Sequence, residues 1–542
     1  MLAGQPIILL REGTERAKGA EAQKEIARAA RAVADAVRST LGPRGMDKMM
    51  VDSVGDVVIT NDGATILKQM EIQHPAAKML AEVAKTQDQE CGDGTKTCVI
   101  LAGELLHKAE ELMDEKIHAT LITLGYQIAA EKALGHLPTL ARPVKPSDTE
   151  LLRKIAMTSM ISKGVAAYRE ELSTLAVKAV TEVIDSRDGT VRFDRKNIQL
   201  LKRQGDDIHR SELIQGHIVE QGTVHPDMPK TVSGARIALI EAALEMKKTE
   251  LSSEIRITDA AQLQSFLNEE ARLIQTMVDA VVQSGANVVF TEKGIDDVAA
   301  EHLAKAGVYT VRRVKKSDLE LLARATGARL VARAADIGPD DLGSAGRVEE
   351  RKIGEDALTI VTDCPRARAV TILIRGGSQH VVDEVERSLI DAVMTVGISL
   401  EDGSVVTGAG ATAMELSQHL REYASTVGGR EQMAVEAFAA ALEVIPLTLA
   451  ENAGMDTVNT LIELRRRHKA GDRAAGVDCL QARIADMDEV AVEPIRVARQ
   501  ELLGATEAST MLLRIDDVIA SRHTATTPPP KGGGPASAGG FA

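Results

Sequence analysis

The sequence predicts a protein of about three domains that combine α-helices and β-strands, with one mostly helical domain built from both ends of the chain. A chain of 542 residues is too long for a single hydrophobic core. Between residues 211 and 365, apolar strands alternate with helices, which predicts a separate α/β domain. Three glycine turns, at Gly42, Gly92 and Gly408, lie in similar helical segments near opposite ends of the chain. If they form one phosphate site, the chain must leave that domain, build the others and return, so the domain is discontinuous.

Composition and charge exclude several classes of protein. The net charge of −14 argues against binding to nucleic acid, and aromatic residues make up only 2% of the chain, too few for base-stacking platforms. We see no apolar run near the roughly 20 residues that a membrane span needs, and no signal peptide at the start. The cysteines, at positions 91, 98, 364 and 479, are too few for a disulfide framework or a zinc site. We therefore expect a cytoplasmic protein with no membrane and no nucleic-acid partner.

The N-terminal quarter of the chain is predicted to be mostly helical. Residues 5–10 and 57–60 are short apolar strands, and residues 24–41 form a long helix because their apolar side chains recur at helical spacing. That helix ends in a turn rich in glycine and proline at residues 41–45. The sequence Asn-Asp-Gly at residues 61–63 predicts a tight, hairpin-like turn. Helices then continue to about residue 140, where prolines mark a boundary.

The middle of the chain changes from helices to alternating strands and helices. A second boundary lies near residues 205–207, before the α/β region begins. The predicted helices are residues 148–158, 166–184, 296–306 and 318–326, and the predicted strands are residues 198–201, 214–219, 237–242, 287–290, 306–311 and 328–331.

A charged insertion interrupts the α/β region. Residues 245–250 are polar and charged, and a long, largely helical stretch at residues 259–284 follows them. An insertion of this length between two strands predicts a projecting arm. The remaining elements are a buried strand at 369–377, a helix at 381–395, a glycine turn at a helix start at 405–411, a closing segment at 512–519 and a low-complexity, disordered tail from 528.

The glycine turn between Asp88 and Cys98 is the strongest local signal of chemistry. Two glycines bring the backbone close to a ligand, and the helix that follows offers free N–H groups to an anion. Asp93 would repel a phosphate unless a cation such as Mg²⁺ lies between them. An ordinary helix N-cap by Asp or Thr explains the same residues equally well. The stretch is not a P-loop, because Lys96 follows a threonine rather than a glycine.

Six motifs rich in glycine and aspartate occur along the chain. They are LGPRGMD at residues 41–47, NDGAT at 61–65, GDGT at 92–95, IRGG at 374–377 with the helix through Asp391, ENAGMD at 451–456 and LRIDD at 513–517. In this order they resemble the nucleotide motifs of the group II chaperonins, the archaeal thermosome type of the TCP-1/cpn60 chaperonin family. The sequence KKTE at residues 247–250 also looks like the start of the lid arm in that family. The resemblance spans about residues 5–520.

The resemblance implies an ATP-dependent molecular chaperone whose subunit has three domains. Residues 1–143 and 402–525 would form a mostly helical, discontinuous equatorial ATPase domain, and residues 144–210 and 366–401 a small intermediate hinge domain. Residues 211–365 would form an α/β apical domain, with a helical protrusion at about 243–275 as a built-in lid, and residues 526–542 a disordered tail. Sister subunits, identical or not, would assemble into a double ring with eight or nine members per ring and enclose non-native client proteins.

The resemblance also implies roles for individual residues. Asp62 and Asp391 would orient and activate the water that attacks ATP, and Asp93 would hold Mg²⁺ at the phosphates of ATP or ADP. Lys163 falls in a loop that resembles the γ-phosphate sensor of the family. Phosphoryl transfer depends on positioning and charge neutralisation, so a hinge that moves Asp391 would gate hydrolysis. The other implied nucleotide-binding residues are Leu41, Gly42, Pro43, Asn61, Gly63, Gly94, Thr95, Lys96, Thr97, Gly410, Gly476, Asp478 and Glu493.

Taken singly, several of these residues have plainer explanations. Asp62 is a common turn residue, Asp391 lies on a charged helix face, and Lys163 could simply cap a helix. Glu493 precedes a proline and could be a surface residue. Only their combination points to ATP hydrolysis.

Some positions depart from the family pattern and leave alternatives open. Lys96 stands where the family usually has threonine, Ala409 where it has glycine, and Ala243 where it has proline. Lys96 could contact a phosphate or point outward as a solvated charge, and Ala409 could crowd the nucleotide. These changes keep open a second function, an ATP-binding assembly scaffold with weak turnover. A phosphotransferase would need an acceptor pocket, for which we find no motif.

Overall fold

A computed structural model describes residues 14–51, 55, 57–70, 72–187, 190–245, 260–365 and 368–521. The predicted strand at residues 5–10, the charged start of the arm at 246–259, including KKTE, and the tail from residue 526 lie outside these ranges. The α-helices within them are α1 Ala20–Arg38, α2 Gly63–Gln69, α3 Pro75–Cys91, α4 Thr95–Asp114, α5 Ala119–His136, α6 Thr149–Met160, α7 Arg169–Val183, α8 Ala260–Ser284, α9 Asp297–Lys305, α10 Lys316–Thr326, α11 Gln379–Asp402, α12 Ala411–Ala424, α13 Glu431–Leu442, α14 Val444–Asn452, α15 Thr457–Lys469 and α16 Ile495–Leu513.

The strands of the same ranges form several small sheets and one large sheet. They are β1 Thr14–Lys18, β2 Lys48–Val51, β3 Val57–Thr60, β4 Arg142–Pro143, β5 Asp185–Arg187, β6 Thr190–Arg192, β7 Ile198–Gln204, β8 Glu212–Ile214, β9 Gly216–Val219, β10 Thr231–Ile240, β11 Val288–Thr291, β12 Tyr309–Val311, β13 Leu330–Val331, β14 Gly343–Ile353, β15 Asp356–Thr362, β16 Val370–Gly376, β17 Ser404–Thr407, β18 Ala475–Asp478, β19 Arg483–Asp486, β20 Val492–Pro494 and β21 Asp517–Ser521.

The first hydrophobic core draws on both ends of the chain. The apolar stripe of α1 is buried against α4, and a Cβ at Gly103 would lie 2.5 Å from the Cβ of Ala34, so the glycine permits this close approach. Helices α12 to α16 complete the same core, and Tyr126 of α5 meets Phe438 of α13 edge to face at 5.6 Å. Strand β1 pairs antiparallel with β21, which joins the two ends directly.

The chain leaves and re-enters this core at neighbouring points. Strand β4 pairs with β17, which places Pro143 opposite Ser404, and the Val144 N–H donates to the Gly403 carbonyl at 3.0 Å. Everything between these strands is therefore an insertion, as the three glycine turns predicted. The predicted limits of the three domains stay predictions, because shared cores do not define where one domain ends.

A second hydrophobic core is formed mainly by residues of the insertion between β4 and β17. Helices α6, α7 and α11 pack on a three-stranded sheet in the order β7-β16-β8, in which β7 and β16 are parallel. Strands β7 and β16 are far apart in sequence, so this core is also built from two separate parts of the chain, with an insertion between them. Helix α11 extends to Asp402 rather than to the predicted residue 395, and it reaches from this core to the first one.

The third region is the predicted α/β unit. Its large sheet has the order β12-β11-β10-β14-β15-β9, with β13 beside β10, and the strands β10 to β12 are parallel. Strand β11 is buried at every position, as expected when helices cover both faces of a parallel sheet. The apolar side chains of this sheet pack on one face with α10 and on the other with α8 and α9.

Two sequence predictions about local structure are wrong, and one hairpin was missed. Residues 61–63 do not form a hairpin turn but begin α2, with Asp62 as its N-cap. The single strand expected at residues 214–219 is two strands in different sheets, broken at Gln215. The second strand begins at Gly216, where a Cβ would lie 2.0 Å from the Val361 carbonyl oxygen. The hairpin β14–β15 was not predicted, because β14 is rich in charged and exposed residues and has no apolar run.

One apolar stretch of membrane-spanning length was also missed. Residues Glu431–Asn452, which form α13 and α14, have a mean hydropathy of 1.7 in their most apolar window. Of that window, 72% is buried inside the protein, as in the core helices of globular proteins. The length and composition of the stretch are therefore explained by its place in the first core.

Candidate functional site

The three glycine turns meet at one cavity of about 190 Å³ in the first core. Gly42, Gly94, Gly408 and Gly410 all line it, although the first and last are separated by more than half of the chain. Apolar side chains from α14 and α16 also line it, among them Leu449 and Leu502. The cavity therefore has a polar wall made of glycine turns and an apolar wall made of helices, which suits a ligand with a charged end and an apolar end.

The first turn follows α1 and is held by the C-terminal part of the chain. Gly42 has a φ of 79°, and a Cβ there would lie 2.4 Å from Leu449, so only glycine fits. The amide of Asn452 donates to the carbonyls of Arg38 and Leu41, at 3.0 and 2.9 Å. The turn is thus fixed by a residue that lies more than 400 positions away.

The second turn leaves the N-terminus of α4 without a side-chain cap. Gly94 itself is the N-cap residue, with a φ of 81°, and the Asp93 carboxylate accepts the Gly94 N–H at 2.7 Å. The alternative of an ordinary cap by Asp or Thr on this helix is therefore wrong. The first N–H groups of this 20-residue helix have no side-chain cap, which is the arrangement of an anion site.

The third turn has the same form. Gly410 is the N-cap of α12 in the left-handed conformation, again without a side-chain cap. Ala409 precedes it, and its carbonyl accepts the Val477 N–H at 3.0 Å. Gly476 lies behind this turn, since a Cβ there would be 2.9 Å from the Ala409 carbonyl oxygen. Two helix N-termini, those of α4 and α12, therefore adjoin one cavity.

Two carboxylates, that of the half-buried Asp62 and that of the buried Asp391, lie beside the second turn together with a lysine. The Asp62 carboxylate accepts the Thr65 N–H and hydroxyl at 2.8 and 2.7 Å. The ammonium of Lys163 contacts the carboxylate of Asp391 on α11, and both residues are more than 90% buried. Helix α11 reaches the site because residue 92 is glycine, where a Cβ would lie 2.5 Å from the Cβ of Met394.

The charges of this group shift one another's pKa values. Burial alone would raise the pKa of Asp62, but Lys163 and the bonds from Thr65 outweigh it and lower that pKa. Burial would likewise lower the pKa of Lys163, yet Asp391, Asp62 and Asp93 raise it, so the ammonium stays charged. For Asp391 burial dominates and raises the pKa well above its usual value, with Lys163 opposing it. Asp391 is thus a buried carboxyl group that lies beside the Lys163 ammonium.

Asp93 offers a place for a divalent cation. Burial raises the pKa of its carboxyl, and the N–H of Gly94 only partly opposes this, so a nearby cation would stabilise the carboxylate. In the described part of the chain no three His, Cys, Asp or Glu side chains converge as a metal cage. Mg²⁺ does not need one, because it usually keeps several waters and binds one or two carboxylates together with phosphates. The residues present fit such a site.

A sequence model of the TCP-1/cpn60 chaperonin family matches residues 33–523 of the chain. The chain belongs to this family. It is 53% identical over 522 residues to the thermosome subunit beta of Archaeoglobus fulgidus, and 54% identical over 521 residues to a thermosome subunit of Pyrococcus horikoshii. These alignments cover 96% of this chain, and 96% and 95% of the relatives. The resemblance to group II chaperonins is therefore confirmed.

A solved chaperonin structure supports the same fold. The open-state monomer of a group II chaperonin from Methanococcoides burtonii matches with a TM-score of 0.60 and 42% identity. The match covers 78% of this chain and 100% of that one. The predicted multidomain chaperonin fold, which combines a mostly helical part with an α/β part, is confirmed.

Most nucleotide residues expected of a chaperonin line the cavity, but some do not. Asn61, Asp62, Gly63, Lys163 and Asp391 lie next to the second turn rather than in the cavity wall. Thr95 is buried in the first turn of α4, and Gly476 lies behind Ala409. The expected residues that do line the cavity are Leu41, Gly42, Pro43, Asp93, Gly94, Lys96, Thr97, Gly410, Asp478 and Glu493.

Lys96 differs from the family pattern, and its orientation is now defined. Its ammonium donates to the Thr40 carbonyl at 2.9 Å and to the Asn61 amide oxygen at 2.6 Å. Burial, together with the Lys163 charge, lowers the pKa of Lys96 to about 8. The alternative of an outward, solvated lysine is therefore wrong.

Asp478 and Glu493 have different surroundings within the wall. Asp478 accepts the N–H groups of Leu480 and Gln481 at 3.2 and 3.1 Å, so its carboxylate stabilises the turn that follows it. Glu493 lies against Gly408, and burial together with Asp93 raises its pKa to about 7. Glu493 is thus not the surface residue that its neighbour Pro494 suggested.

Sequence reasoning missed two residues at or beside this cavity. Glu501 of α16 lines the cavity, and its carboxylate lies close to Gly94 and to the Thr97 hydroxyl. Gln87 of α3 donates to the Asp93 carbonyl at 2.8 Å and supports the second turn. A signal for Glu501 was present, since it interrupts the buried stripe that includes Val497 and Leu502.

We expect the variant Ala409→Gly to be more stable than the wild type. Ala409 has a φ of 54°, a conformation that costs an L-residue roughly 1–2 kcal/mol. The greater freedom of glycine in the unfolded chain offsets about 0.4–1 kcal/mol of this, so a net gain of about 0.5–1 kcal/mol remains. Urea unfolding at fixed protein concentration measures the change. Ala411→Gly, at the helical start of α12, is the matched control and should lose stability; a similar loss in Ala409→Gly would contradict the account.

Proposed function

We propose that the chain is a subunit of a double-ring chaperone that hydrolyses ATP in the cavity described above and uses the cycle to enclose and fold non-native protein. One observation carries the proposal: turns from both ends of the chain meet at one cavity, and an inner helix brings Asp391 next to one of these turns. Membership of the family supports nucleotide binding, ATP hydrolysis and assembly into rings. The assignment of each step to single residues is our inference.

The phosphates of ATP would bind at the N-termini of α4 and α12. The first N–H groups of both helices lack side-chain caps, and the helix dipoles add positive potential at these ends. The adenosine would then lie against the apolar wall formed by α14 and α16. Asp93 would hold Mg²⁺, which neutralises phosphate charge when it is bound.

Hydrolysis would depend on Asp62, Lys163 and Asp391. The two carboxylates would orient the attacking water, and the Asp391 carboxylate, held beside the Lys163 ammonium, would accept a proton from it. Lys163 would move its charge from Asp391 towards the phosphate as that proton arrives. Because Asp391 lies on α11, which also belongs to the second core, any movement of that core would alter the reaction.

The wider setting follows from the family and remains part of the proposal. We infer rings of eight or nine subunits, clients that share exposed apolar surface, and a cytoplasmic location in which the cysteines stay reduced. The alternative, an ATP-binding scaffold with weak turnover, is not favoured, since the curated relatives are thermosome subunits along nearly their whole length.

A purified sample tests the proposal directly. Light scattering should show a megadalton-scale ring, and phosphate release should occur with ATP alone, without any acceptor molecule. A chemically denatured reporter enzyme should regain activity only when the ring and ATP are both present. A monomer whose ATP turnover requires an added acceptor would overturn the proposal.

A further inference from the structure

Lys96 connects the elements that form the polar wall of the cavity. It is the second residue of α4, two positions after Gly94. Its ammonium donates to the carbonyl of Thr40, which directly precedes the first turn, and to the side chain of Asn61, which directly precedes Asp62. One side chain therefore ties the start of α4 to both the Gly42 turn and the Asp62 turn.

The Asp62 turn packs closely against Lys96. A Cβ at Gly63 would lie 2.7 Å from the Cγ of Lys96, so the Asp62 turn packs directly on the lysine stem. Asn61 is 1% exposed, and its amide nitrogen has no hydrogen-bond partner within the described ranges. The bond from Lys96 is thus the polar contact that orients this buried amide.

The charge of Lys96 also belongs to the site. Asp62, Asp93 and Asp391 lie close enough to favour its charged form, while Lys163 and burial disfavour it. An ammonium has three N–H donors, of which the protein bonds described above use two. Three carboxylates and two ammonium groups therefore lie close together beside the polar wall of the cavity.

We propose that Lys96 is a positioning residue of the nucleotide site, which holds the Asp62 carboxylate in a fixed place relative to the Gly42 turn and the start of α4. The proposal rests on the proposed function, because the position of Asp62 matters for turnover only if ATP is hydrolysed in this cavity. Small displacements of a catalytic group cost much rate, about 10²-fold for 1 Å. Loss of Lys96 should therefore lower kcat more than it changes the affinity for ATP.

The first test is steady-state ATP hydrolysis by the assembled Lys96→Met variant. Methionine keeps the apolar stem but removes the ammonium, so we expect kcat to fall about 10- to 100-fold while KM for ATP changes less than about threefold. Ring assembly and the thermal midpoint should stay near those of the wild type. Lys108→Met is the matched control, because Lys108 lies on the same helix and pairs with Glu111 at the surface at 2.9 Å.

Chemical rescue provides a second readout that a purely structural lysine would not give. In Lys96→Ala the two carbonyl oxygens would face an empty space next to three carboxylates. Added ammonium or methylammonium chloride should raise the kcat of this variant at least fivefold, whereas sodium chloride at the same ionic strength should not.

Several outcomes would overturn the inference. An unchanged kcat in Lys96→Met would do so, as would a loss that only follows the fraction of unfolded protein. A raised KM with normal kcat would show that Lys96 binds the nucleotide rather than positioning Asp62. The proposed function is judged separately: if the wild-type assembly hydrolyses no ATP, that function fails, whereas normal hydrolysis by the wild type together with a normal Lys96→Met rejects this inference alone.

Discussion

Replacement of Asp391 by asparagine should lower ATP hydrolysis by about 10²- to 10⁴-fold, the usual contribution of a positioned acid or base. Asparagine has nearly the same size, so α11 should still pack against Gly92, and nucleotide binding should change only a few-fold. The loss arises because Lys163 keeps its charge but loses the carboxylate that accepts the proton from water. Phosphate release under saturating ATP measures the rate, and equilibrium binding of a labelled nucleotide measures the affinity.

The matched control for this variant is Asp383→Asn on the same helix. Asp383 pairs with Lys202 at 2.8 Å and does not line the cavity, so its loss should leave hydrolysis unchanged. Asp62→Asn should resemble Asp391→Asn, since asparagine still caps α2 and only the charge is removed. Full activity in both aspartate variants would show that the catalytic roles are assigned to the wrong residues.

The double variant Arg421→Met, Arg465→Met should lose about 3–5 kcal/mol of stability, because it leaves the buried Glu443 without a cation. Glu443 is 3% exposed, and it accepts bonds from Arg421 at 3.0 Å and from Arg465 at 2.8 and 2.6 Å. These bonds join α12 and α15 to the start of α14. Since Leu449 of α14 lines the cavity, we also expect weaker nucleotide binding.

Urea unfolding of the assembled protein at constant concentration measures this effect. Adding Glu443→Met to the double variant removes the unpaired carboxylate and should recover most of the lost stability. Arg466→Met is the control, since Arg466 forms an exposed pair with Glu463 and should matter little. A double variant as stable as the wild type would contradict the role given to this cluster.

Local signals in the sequence were sufficient to predict the glycine turns, but not the distant residues that lie beside them. Gly42 and Gly94 were recognisable because a glycine at the end or start of an apolar helix marks a left-handed residue. The contact between Lys163 and Asp391 joins residues 228 positions apart and has no local signal. Only the resemblance to the chaperonin family indicated that they act together.

Other failures have equally specific causes. Asp62 was taken as a turn residue, although Thr65, three positions later, offers the N–H and hydroxyl that make Asp62 a helix cap. Lys96 was left open between two orientations, because the carbonyl that binds it belongs to Thr40 on another helix end. Strand β14 was missed because an exposed, charged strand has no apolar run to mark it.

The central claim is that one nucleotide site is assembled from both ends of the chain and from an inner segment. Hydrogen exchange of the assembled protein, with and without Mg²⁺ and a non-hydrolysable ATP analogue, tests it most directly. We expect slower exchange on binding at residues 41–45, 92–98 and 408–412 together, and also around Lys163. Protection of a single one of these segments, or protection centred elsewhere in the chain, would contradict the account.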